Sequence, residues 1–594
     1  MRAKTPSIVL ALVAAAACAT PEPAAPVVDL SPSTWQADYD TFMAAQLVDR
    51  TSAGVATGSG GAVTVAYNGL AARAGLEALK QGGNAIDAAM TTALAQVALT
   101  AGAPISYFGI MSLVYFEAAT GEVHTMNAEW NTVLGEDDPA SIPGGVDLMT
   151  PDGIYGSEVS GRTALVGGFM KGVGAAHERF GALPWEQVFA PSIHIAEDGM
   201  PVSAKLAAQF AGRRDDLARL DETRATMLRE DGSAWQEGDV FRQPALAATL
   251  RSVAEQGTDY MYNGPWAERV AAAVQAEGGK MTVEDLAAYD VLWDEPLRAP
   301  LGDFEIVTNR PPNAGGLALI EAHNVALATG MVDDGTWWES ADALRKALDS
   351  TQLGLINFIP ADTLAVVYPG LEITDASRIT PEYAAEMWAR MEAGARLTQW
   401  APAPEPRHSD DVVVIDGEGN IAAITHSINA VLWGKTGIVV DGITVGDPGS
   451  FQQAQIAATE PGGRLASPTE TGILFRDGEA VLGFASMGSG LHQRTFVGLM
   501  GVTQYGMTVD EAINAPDFFF PRIDPTTFQT TFRVIAGGFP AQVLDGTGYG
   551  YEEVDFADVR FGGEGIWVAI SRDPNTGELR AASHNRNNSA AVAF

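Results

Sequence analysis

A hairpin signal in the C-terminal third of the chain sets the strongest limit on its fold. Two apolar runs, 411–415 and 421–427, flank the turn-forming sequence Asp-Gly-Glu-Gly-Asn at 416–420. Apolar runs separated by Gly, Asp and Asn predict two antiparallel strands. Pairing that is symmetric about the turn places Ser409 directly opposite Ser427. Opposed side chains have Cβ atoms about 4.5–5.5 Å apart, so the sequence predicts two hydroxyl groups within reach of each other.

The rest of the chain alternates short strand-like runs with longer helical patterns. Strands are predicted at 61–67, 111–116 and 122–127. Three prolines between 401 and 406 exclude a regular helix there, and the chain beyond them is strand-rich with a single helical stretch. Mixed helices and strands of this kind predict an α+β layer fold. The predicted helices cover 70–81, 84–99, 185–198, 341–358, 381–397 and 492–505, and a further helix begins at Thr282.

The composition is that of a large globular protein with an acidic surface. The chain has 594 residues, which is enough for one large domain or two coupled ones. Its 36 Lys and Arg residues against 74 Asp and Glu residues give a formal net charge of −38. Phosphate backbones repel such a chain, so the charge argues against nucleic acid as a partner.

The N-terminus has the pattern of an export signal. Arg2 and Lys4 precede an apolar run at 8–17, which is too short to span a bilayer as a helix. The run ends at Cys18, the single cysteine, so no internal disulfide can form. The sequence Ala-Ala-Cys at 16–18 resembles a bacterial lipobox, in which the cysteine is lipidated after cleavage.

These features divide the N-terminal region into a signal and lipobox at 1–18 and a tether at 19–50, with prolines near its start. They predict an exported bacterial protein, periplasmic or anchored to the outer membrane. Its contact with the membrane is then made only through a lipid on Cys18. A plain cleaved signal and a retained anchor are the alternatives.

The histidines do not form a metal-binding pattern. His408, His426 and His492 are not spaced with other ligands as metal sites require. Gly82 and Gly83 predict a tight turn without a phosphate role, since no phosphate-loop lysine follows them. The sequence therefore predicts neither a metal nor a cofactor.

The hairpin segment resembles the start of the small subunit of the γ-glutamyltranspeptidases. The resemblance lies in His-Ser-Asp-Asp-Val-Val-Val-Ile-Asp at 408–416, Gly-Asn at 419–420 and Thr-His-Ser-Ile-Asn at 425–429. Further matches follow in the family's order and extend the resemblance over roughly residues 60–594. They lie at 82–89, 183–185, 199–203, 278–289, 311–316, 467–469 and 486–489.

The resemblance implies an N-terminal-nucleophile hydrolase with an αββα sandwich fold. It implies a precursor that cuts itself between His408 and Ser409 into a large part, 51–408, and a small part, 409–594, which stay associated. Ser409 is then the nucleophile. A hydroxyl needs an adjacent base, and the new α-amino group of the same residue, with a pKa near 7.7–8, supplies one.

The same resemblance assigns roles to four further residues. Ser427 falls on the hydroxyl that orients the nucleophile, and Asn429 falls on a substrate-contacting asparagine. Gly488 and Ser489 fall on the pair whose backbone amides form the oxyanion hole, where one donor is typically worth about 2.7–4 kcal/mol. The substrate class that follows is a small-molecule amide or peptide.

The residues that recognise the glutamyl group differ from the family's pattern. Where the family has an arginine that binds the α-carboxylate, in Asp-Phe-Arg-Glu, this chain has Asn-Ala-Glu-Trp at 127–130. Glu129 would repel a carboxylate there. Arg464 stands in the place of a serine and is the alternative carboxylate anchor, and an acidic pair is replaced by the segment 441–447.

Three functions remain open from the sequence. The first is a γ-glutamyl hydrolase or transpeptidase in the strict sense. The second is a related amidohydrolase that acts through an acyl-Ser intermediate on another acyl group. The third is a non-enzymatic, cell-surface binding lipoprotein that has kept the fold.

Overall fold

Two seven-stranded antiparallel sheets form the centre of the protein. The computed structural model describes residues 28–47, 54–144, 159–359, 361–395, 397, 409–450, 452–488, 490–523, 530–559, 565–586 and 588–594. Sheet I has the strand order β21-β2-β10-β11-β3-β4-β7, and sheet II has the order β1-β20-β19-β15-β14-β9-β8. The strands are β1 Gly54–Gly58, β2 Gly61–Val65, β3 Ile110–Glu117, β4 Glu122–Ala128, β5 Met200–Pro201, β6 Val240–Phe241, β7 Leu292–Asp294, β8 Leu297–Leu301, β9 Phe304–Thr308, β10 Asp410–Asp416, β11 Ile421–Ser427, β12 Ile438–Val440, β13 Ile443–Val445, β14 Glu470–Arg476, β15 Glu479–Met487, β16 Phe518–Ile523, β17 Thr530–Ile535, β18 Gly550–Val554, β19 Ile566–Arg572, β20 Leu579–Ser583 and β21 Ala590–Ala593.

Helices cover the outer face of each sheet. They are α1 Gln36–Ala45, α2 Gly69–Lys80, α3 Ala85–Leu99, α4 Phe169–Phe180, α5 Trp185–Asp198, α6 Ala204–Gly212, α7 Arg214–Leu217, α8 Asp221–Met227, α9 Pro244–Gln256, α10 Asp259–Tyr262, α11 Pro265–Ala276, α12 Val283–Ala287, α13 Gly315–Ala328, α14 Ala341–Thr351, α15 Ala361–Val367, α16 Asp375–Arg378, α17 Pro381–Glu392, α18 Gln453–Ala457, α19 Leu491–Thr503, α20 Val509–Asn514, α21 Ala541–Gly546 and α22 Phe556–Val559.

Alternating side chains of the hairpin strand β10 separate two cores. Val412 and Val414 pack with helices α2, α3 and α5 on the outer side of sheet I. Val413 and Ile415 pack between the two sheets. A third core joins the outer face of sheet II to α13, α14 and α19. Because strand side chains alternate between faces, one apolar strand can serve both cores, and the predicted αββα sandwich is confirmed.

The predicted hairpin and its register are confirmed. Asp410 pairs with His426, and Ile415 pairs with Ile421, as pairing symmetric about the turn requires. The same register, extended by one residue, sets Ser409 opposite the last residue of β11. A slip of one residue would turn every apolar side chain of β10 to the wrong core, and this fixes the pairing.

Most predicted helices are confirmed, and three expectations needed correction. The helix predicted at 341–358 ends at Thr351 and continues as a 3-10 segment, Gln352–Phe358. The helix predicted at 381–397 ends at Glu392, and Gly394 takes a positive φ of 103° directly after it. Beyond the hairpin the sequence predicted one helix, but the structure adds α18, α20, α21 and α22. Helices of four to six residues show too little periodicity to be recognised in a sequence.

Thr282 begins α12 as predicted. Its side-chain oxygen accepts a hydrogen bond from the backbone N–H of Asp285, and the Asp285 carboxylate accepts one from the backbone N–H of Thr282. This reciprocal capping satisfies two backbone donors that a helix N-terminus otherwise leaves without partners.

The chain on either side of residue 409 contributes to both sheets. Sheet I places β10, from the C-terminal side, between β2 of the N-terminal side and β11. Sheet II pairs β14 with β9, and β20 with β1, across the same division. The predicted large and small parts therefore share both sheets.

The N-terminal predictions fall partly outside the described residues. Cys18 and the segment 1–18 lie outside them. Within the predicted tether, 19–50, residues 28–47 are described, and Leu30, Trp35 and Tyr39 are buried in the core. The prediction of a tether is therefore wrong for residues 28–47, which pack on the core. Among the helices of the described ranges, none is long and apolar enough to cross a membrane.

Candidate active site

Four residues of sheet I form a row across neighbouring strands at one end of the sheet. Ser427, the last residue of β11, pairs with Ile110, the first residue of β3. Ser409 and Glu129 extend the neighbouring ladders by one residue each, beside Ser427 and Ile110 respectively. Three strand spacings separate the two ends of this row, or about 14 Å. We call this end of the sandwich the hairpin base.

Sheet II brings a glycine loop to the hairpin base. A Cβ added at Gly483 would lie 2.5 Å from the Ile421 side chain, so β15 crosses β11 closely there. Further along both strands, the Thr425 hydroxyl is 3.4 Å from the Ser486 carbonyl oxygen. Since β11 and β15 advance together, Gly488, directly after β15, comes to the end of β11. Its φ of +87° is a conformation that favours glycine.

Two buried carboxyl groups hold the start of β10, directly after Ser409. The Asp410 carboxylate accepts backbone N–H bonds from Tyr67 and Asp411, both at 2.9 Å. The Asp411 carboxylate accepts the Thr425 hydroxyl at 2.7 Å on the opposite face. Burial raises the pKa of both carboxyl groups well above the usual range, and for Asp410 the charge of Asp411 adds to this. Ser409 itself is 8% exposed, and the two residues that follow it are held on opposite faces of the strand.

The turn after β11 presents Ser427 and Asn429. The Ser427 hydroxyl oxygen accepts the backbone N–H of Asn429 at 2.8 Å. Asn429 has a positive φ of 43°, which turns the chain sharply away from the sheet. Gly109 permits a close approach, because a Cβ there would lie 2.3 Å from the Ser427 carbonyl oxygen. Two other predicted site residues, His408 and Ser489, lie outside the described residues.

Glu129 is buried at the far end of the row. Its Oε1 accepts the Thr469 hydroxyl at 3.2 Å, while Oε2 has no hydrogen-bond partner among the described residues. Tyr289 donates its hydroxyl to the Glu129 carbonyl oxygen at 2.6 Å. Burial raises the pKa of the Glu129 carboxyl to about 7, against the opposing effects of the Thr469 hydrogen bond and the Arg464 charge. Near neutral pH both the protonated and the charged form of this side chain are therefore populated.

Arg464 is occupied by protein acceptors. Its Nε donates to Asn131 Oδ1 at 2.6 Å, and its Nη2 donates to the Asp290 carbonyl oxygen at 2.6 Å. Its Nη1 donates to both the carbonyl and the side-chain oxygen of Asn127. The guanidinium also lies over the Tyr289 ring, 4.8 Å from its centroid. Four of its five N–H donors are thus used within the protein.

The structure adds residues to the site for which the sequence had predicted no role. Thr469 accepts a hydrogen bond from Asn313 while it donates to Glu129. The motif at 467–469 pointed to this loop but not to its contact. Asp411 and Thr425 could have been found, because the register that opposes Ser409 and Ser427 also opposes these two.

The three histidines that the sequence predicts not to be metal ligands lie in different places. His426 points into the helix layer, with Nε2 at 2.9 Å from Gln96 Oε1, and burial lowers its pKa to about 3. His492 lies behind the loop that contains Gly488, and His408 is not described. Within the described part of the chain, no group of three or more His, Cys, Asp or Glu residues could hold a metal ion.

This site and its sandwich match known proteins over most of the chain. Residues 71–594 match the family described as Gamma-glutamyltranspeptidase. The chain belongs to this family. It is 25% identical over 582 residues to a glutathione hydrolase proenzyme of Bacillus subtilis (strain 168), covering 91% of this chain and 92% of that protein.

Two acylases are also similar to this member of the γ-glutamyltranspeptidase family. The Acylase ACY 1 proenzyme of a Pseudomonas species (strain SE83) is 28% identical over 480 residues, covering 78% of this chain and 82% of that protein. The crystal structure of cephalosporin acylase from Bacillus halodurans superposes with a TM-score of 0.74 at 24% identity. It covers 91% of this chain and 97% of its own chain, and it supports the fold.

Family membership shows which class of function the protein has. The chain is an enzyme, an N-terminal-nucleophile amide hydrolase or acyl transferase. A non-enzymatic binding lipoprotein, the alternative function from the sequence, does not fit relatives that are enzymes.

Burial of Glu129 leads to a measurable pH effect on stability. Its folded pKa of about 7 lies above the ordinary 4.5, so its contribution to stability is complete below pH 4.5 and is lost as pH rises through 7. Glu129→Gln removes this loss. We expect the free energy of unfolding of the variant, relative to that of the wild type, to increase by about 3 kcal/mol between pH 4.5 and 8, as measured by chemical denaturation.

Glu136→Gln is the control for this measurement. Burial acts to raise the pKa of Glu136, but hydrogen bonds from Arg162 and Lys280 lower it below the ordinary value. The stability that it contributes is present above pH 4.5 and is lost only in more acidic solution. The difference in free energy of unfolding between Glu136→Gln and wild type should be constant from pH 5.5 to 8. If the difference for Glu129→Gln were equally constant, the raised pKa of Glu129 would be contradicted.

Proposed function

We propose that this protein is a precursor that cuts its own His408–Ser409 bond and then hydrolyses small amides through Ser409. One observation carries the proposal. Ser409 immediately precedes the central strand β10, faces Ser427 when the register is extended by one residue, and lies at the end of the sandwich to which Gly488 is brought. Nucleophile, orienting hydroxyl and oxyanion donors need this common location.

The cleavage step creates the catalytic base. The Ser409 hydroxyl oxygen attacks the His408 carbonyl carbon, the peptide C–N bond breaks, and the chain is held as an ester. Water then opens the ester, leaving a carboxylate on His408 and a free α-amino group on Ser409. Because both fragments contribute strands to both sheets, they remain associated after the bond is cut.

Substrate hydrolysis uses the same hydroxyl. The α-amino group takes the proton of the Ser409 hydroxyl as its oxygen attacks the substrate carbonyl, and passes it to the departing amine. Ser427 orients the hydroxyl, and the backbone amides of Gly488 and Ser489 stabilise the oxyanion. Asn429 contacts the substrate. Water, or an acceptor amine, then releases the acyl group from Ser409.

We further propose that the acyl group lacks the α-carboxylate of a γ-glutamyl group. The row from Ser409 ends at the carboxyl group of Glu129, which disfavours a second carboxylate. Arg464 does not offer a replacement anchor, since four of its five donors are bonded to Asn127, Asn131 and Asp290. It supports the Glu129 segment, because Asn127 Oδ1 accepts the Glu129 backbone N–H at 3.1 Å.

Four matched p-nitroanilides test this specificity. A γ-glutamyl group carries an α-amine and a carboxylate, glutaryl carries the carboxylate alone, 4-aminobutyryl the amine alone, and butanoyl neither. We expect kcat/KM for 4-aminobutyryl and butanoyl anilides to exceed that for the two carboxylates by about 10-fold or more, the scale of one charged contact. A preference for γ-glutamyl anilide would instead identify a glutathione hydrolase like the Bacillus subtilis relative.

The cellular location is also a proposal. The basic and apolar N-terminal sequence that ends at Cys18 supports export, to the periplasm or as a lipoprotein of the outer membrane. The mass of the mature N-terminal fragment tests both. A fragment that begins at a lipid-modified Cys18 supports the anchor, and an unmodified N-terminus elsewhere supports a plain signal.

A further inference from the structure

A partly buried histidine behind the glycine loop is bonded to a buried carboxylate. His492 lies in the first turn of α19, and its Nδ1 is 2.6 Å from Glu470 Oε1. The two side chains are 12% and 2% exposed. Because a carboxylate only accepts, the Nδ1–H of His492 donates. The bond therefore ties the start of α19 to Glu470, the first residue of β14.

The two partners adjoin different parts of the active site. His492 lies four residues after Gly488, whose backbone amide is proposed to stabilise the oxyanion. Glu470 follows Thr469, whose hydroxyl donates to Glu129. The bond thus connects the acyl-binding end of the site with the oxyanion end.

Packing fixes the imidazole in one orientation. A Cβ added at Gly354 would lie 2.8 Å from the His492 Cδ2 atom, so the 3-10 segment Gln352–Phe358 presses directly on the ring. His492 Nε2 and Glu470 Oε2 have no hydrogen-bond partner among the described residues. A single hydrogen bond contributes only modestly to net stability, so the main effect of this one is on the positions of the two segments that it joins.

We propose that Glu470 and His492 are positioning residues that hold the glycine loop at Gly488, where its backbone amide meets the oxyanion. This inference rests on the proposed function of that loop. A loop displaced by the loss of the bond would still bind substrate, because oxyanion contacts form in the transition state. The loss should therefore appear in kcat and not in KM.

His492→Phe tests the pair, since it keeps a flat ring and removes the donor. We expect kcat to fall about 10- to 100-fold with KM within about 2-fold, because a displaced donor loses part of the 10²–10³ that a deleted one costs. Glu470→Gln keeps an acceptor for the Nδ1–H and should stay within about 3-fold of wild type. Cleavage at Ser409 is followed on a denaturing gel in each variant.

A double variant separates positioning from stability. His492→Phe leaves the Glu470 charge buried without its partner, and adding Glu470→Leu removes that charge. We expect the double variant to recover stability relative to His492→Phe but to keep its low kcat. If kcat recovers together with stability, the pair is structural and the proposal is wrong.

A second histidine and carboxylate provide the control. His177 Nε2 lies 3.7 Å from Asp87 Oδ1 in the helix layer of sheet I, away from the hairpin base. His177→Phe should lower stability without changing kcat. A wild-type protein inactive on all four anilides would overturn the proposed function itself, whereas an active wild type with His492→Phe at wild-type kcat would overturn only this inference.

Discussion

Ser409→Ala should leave the protein as one uncut chain without amide hydrolase activity. Alanine removes the oxygen that attacks both the His408 carbonyl and the substrate, so neither ester can form. The expected loss in kcat is at least ~10⁴-fold, as for other hydrolases that lose their nucleophile. Wild type should run on a denaturing gel as two bands, in the proportion of the residues before and after the His408–Ser409 bond, and the variant as one.

Two further variants make this result specific to the Ser409 hydroxyl. Ser409→Thr keeps a hydroxyl at the same position and should still be cut. Ser350→Ala removes another buried serine hydroxyl, in α14 of the outer helix layer, and should be cut and active. A wild-type chain that stays whole under native conditions, or a Ser409→Ala chain that is cut, would contradict the proposed nucleophile.

Of the variants proposed in this protein, Asp517→Asn should cause the largest decrease in the free energy of unfolding. Asp517 accepts hydrogen bonds from Arg494 and Arg586, whose side chains are only 2% and 3% exposed. Burial, with the charge of Arg586, lowers the pKa of Arg494 to about 9, so this buried guanidinium still carries its charge near neutral pH. Removing a charged partner from a buried ion pair costs about 3–5 kcal/mol, a large share of ordinary protein stability.

Chemical denaturation followed by tryptophan fluorescence measures this effect. Glu305→Gln is the matched control, because its bond to Arg298 joins side chains that are 44% and 41% exposed. Exposed ion pairs contribute about 0–1 kcal/mol, so this variant should stay close to wild type. An Asp517→Asn variant as stable as Glu305→Gln would show that the two arginines are compensated from elsewhere.

The hairpin could be predicted because its information is local. Register follows from the turn at 416–420 and from the alternation of two apolar runs, and both lie within twenty residues of each other. The prediction that Ser409 faces Ser427 needed nothing else. The longer helices were predictable for the same reason, whereas α18 and α20 to α22 are too short for their periodicity to show.

The surroundings of Glu129 could not be predicted in this way. Its hydrogen bond to Thr469 joins residues 340 positions apart, and the contacts of Arg464 with Asn127 and Asn131 span similar separations. From the sequence, Arg464 was an alternative anchor for a substrate carboxylate. Its position beside protein oxygen atoms supports a structural role instead, because guanidinium donors already bonded within the protein are not available to a ligand.

By itself, the sequence determined the strand β10 that follows Ser409, its register with β11, the family resemblance and the acidic character of the chain. Each depends on neighbouring residues or on composition. Only the tertiary structure decided which distant groups meet at the hairpin base: Gly488 beside the end of β11, Thr469 on Glu129, and His492 on Glu470. The physical reason is that these contacts arise between two sheets and their helices, whose relative placement depends on the packing of all three cores.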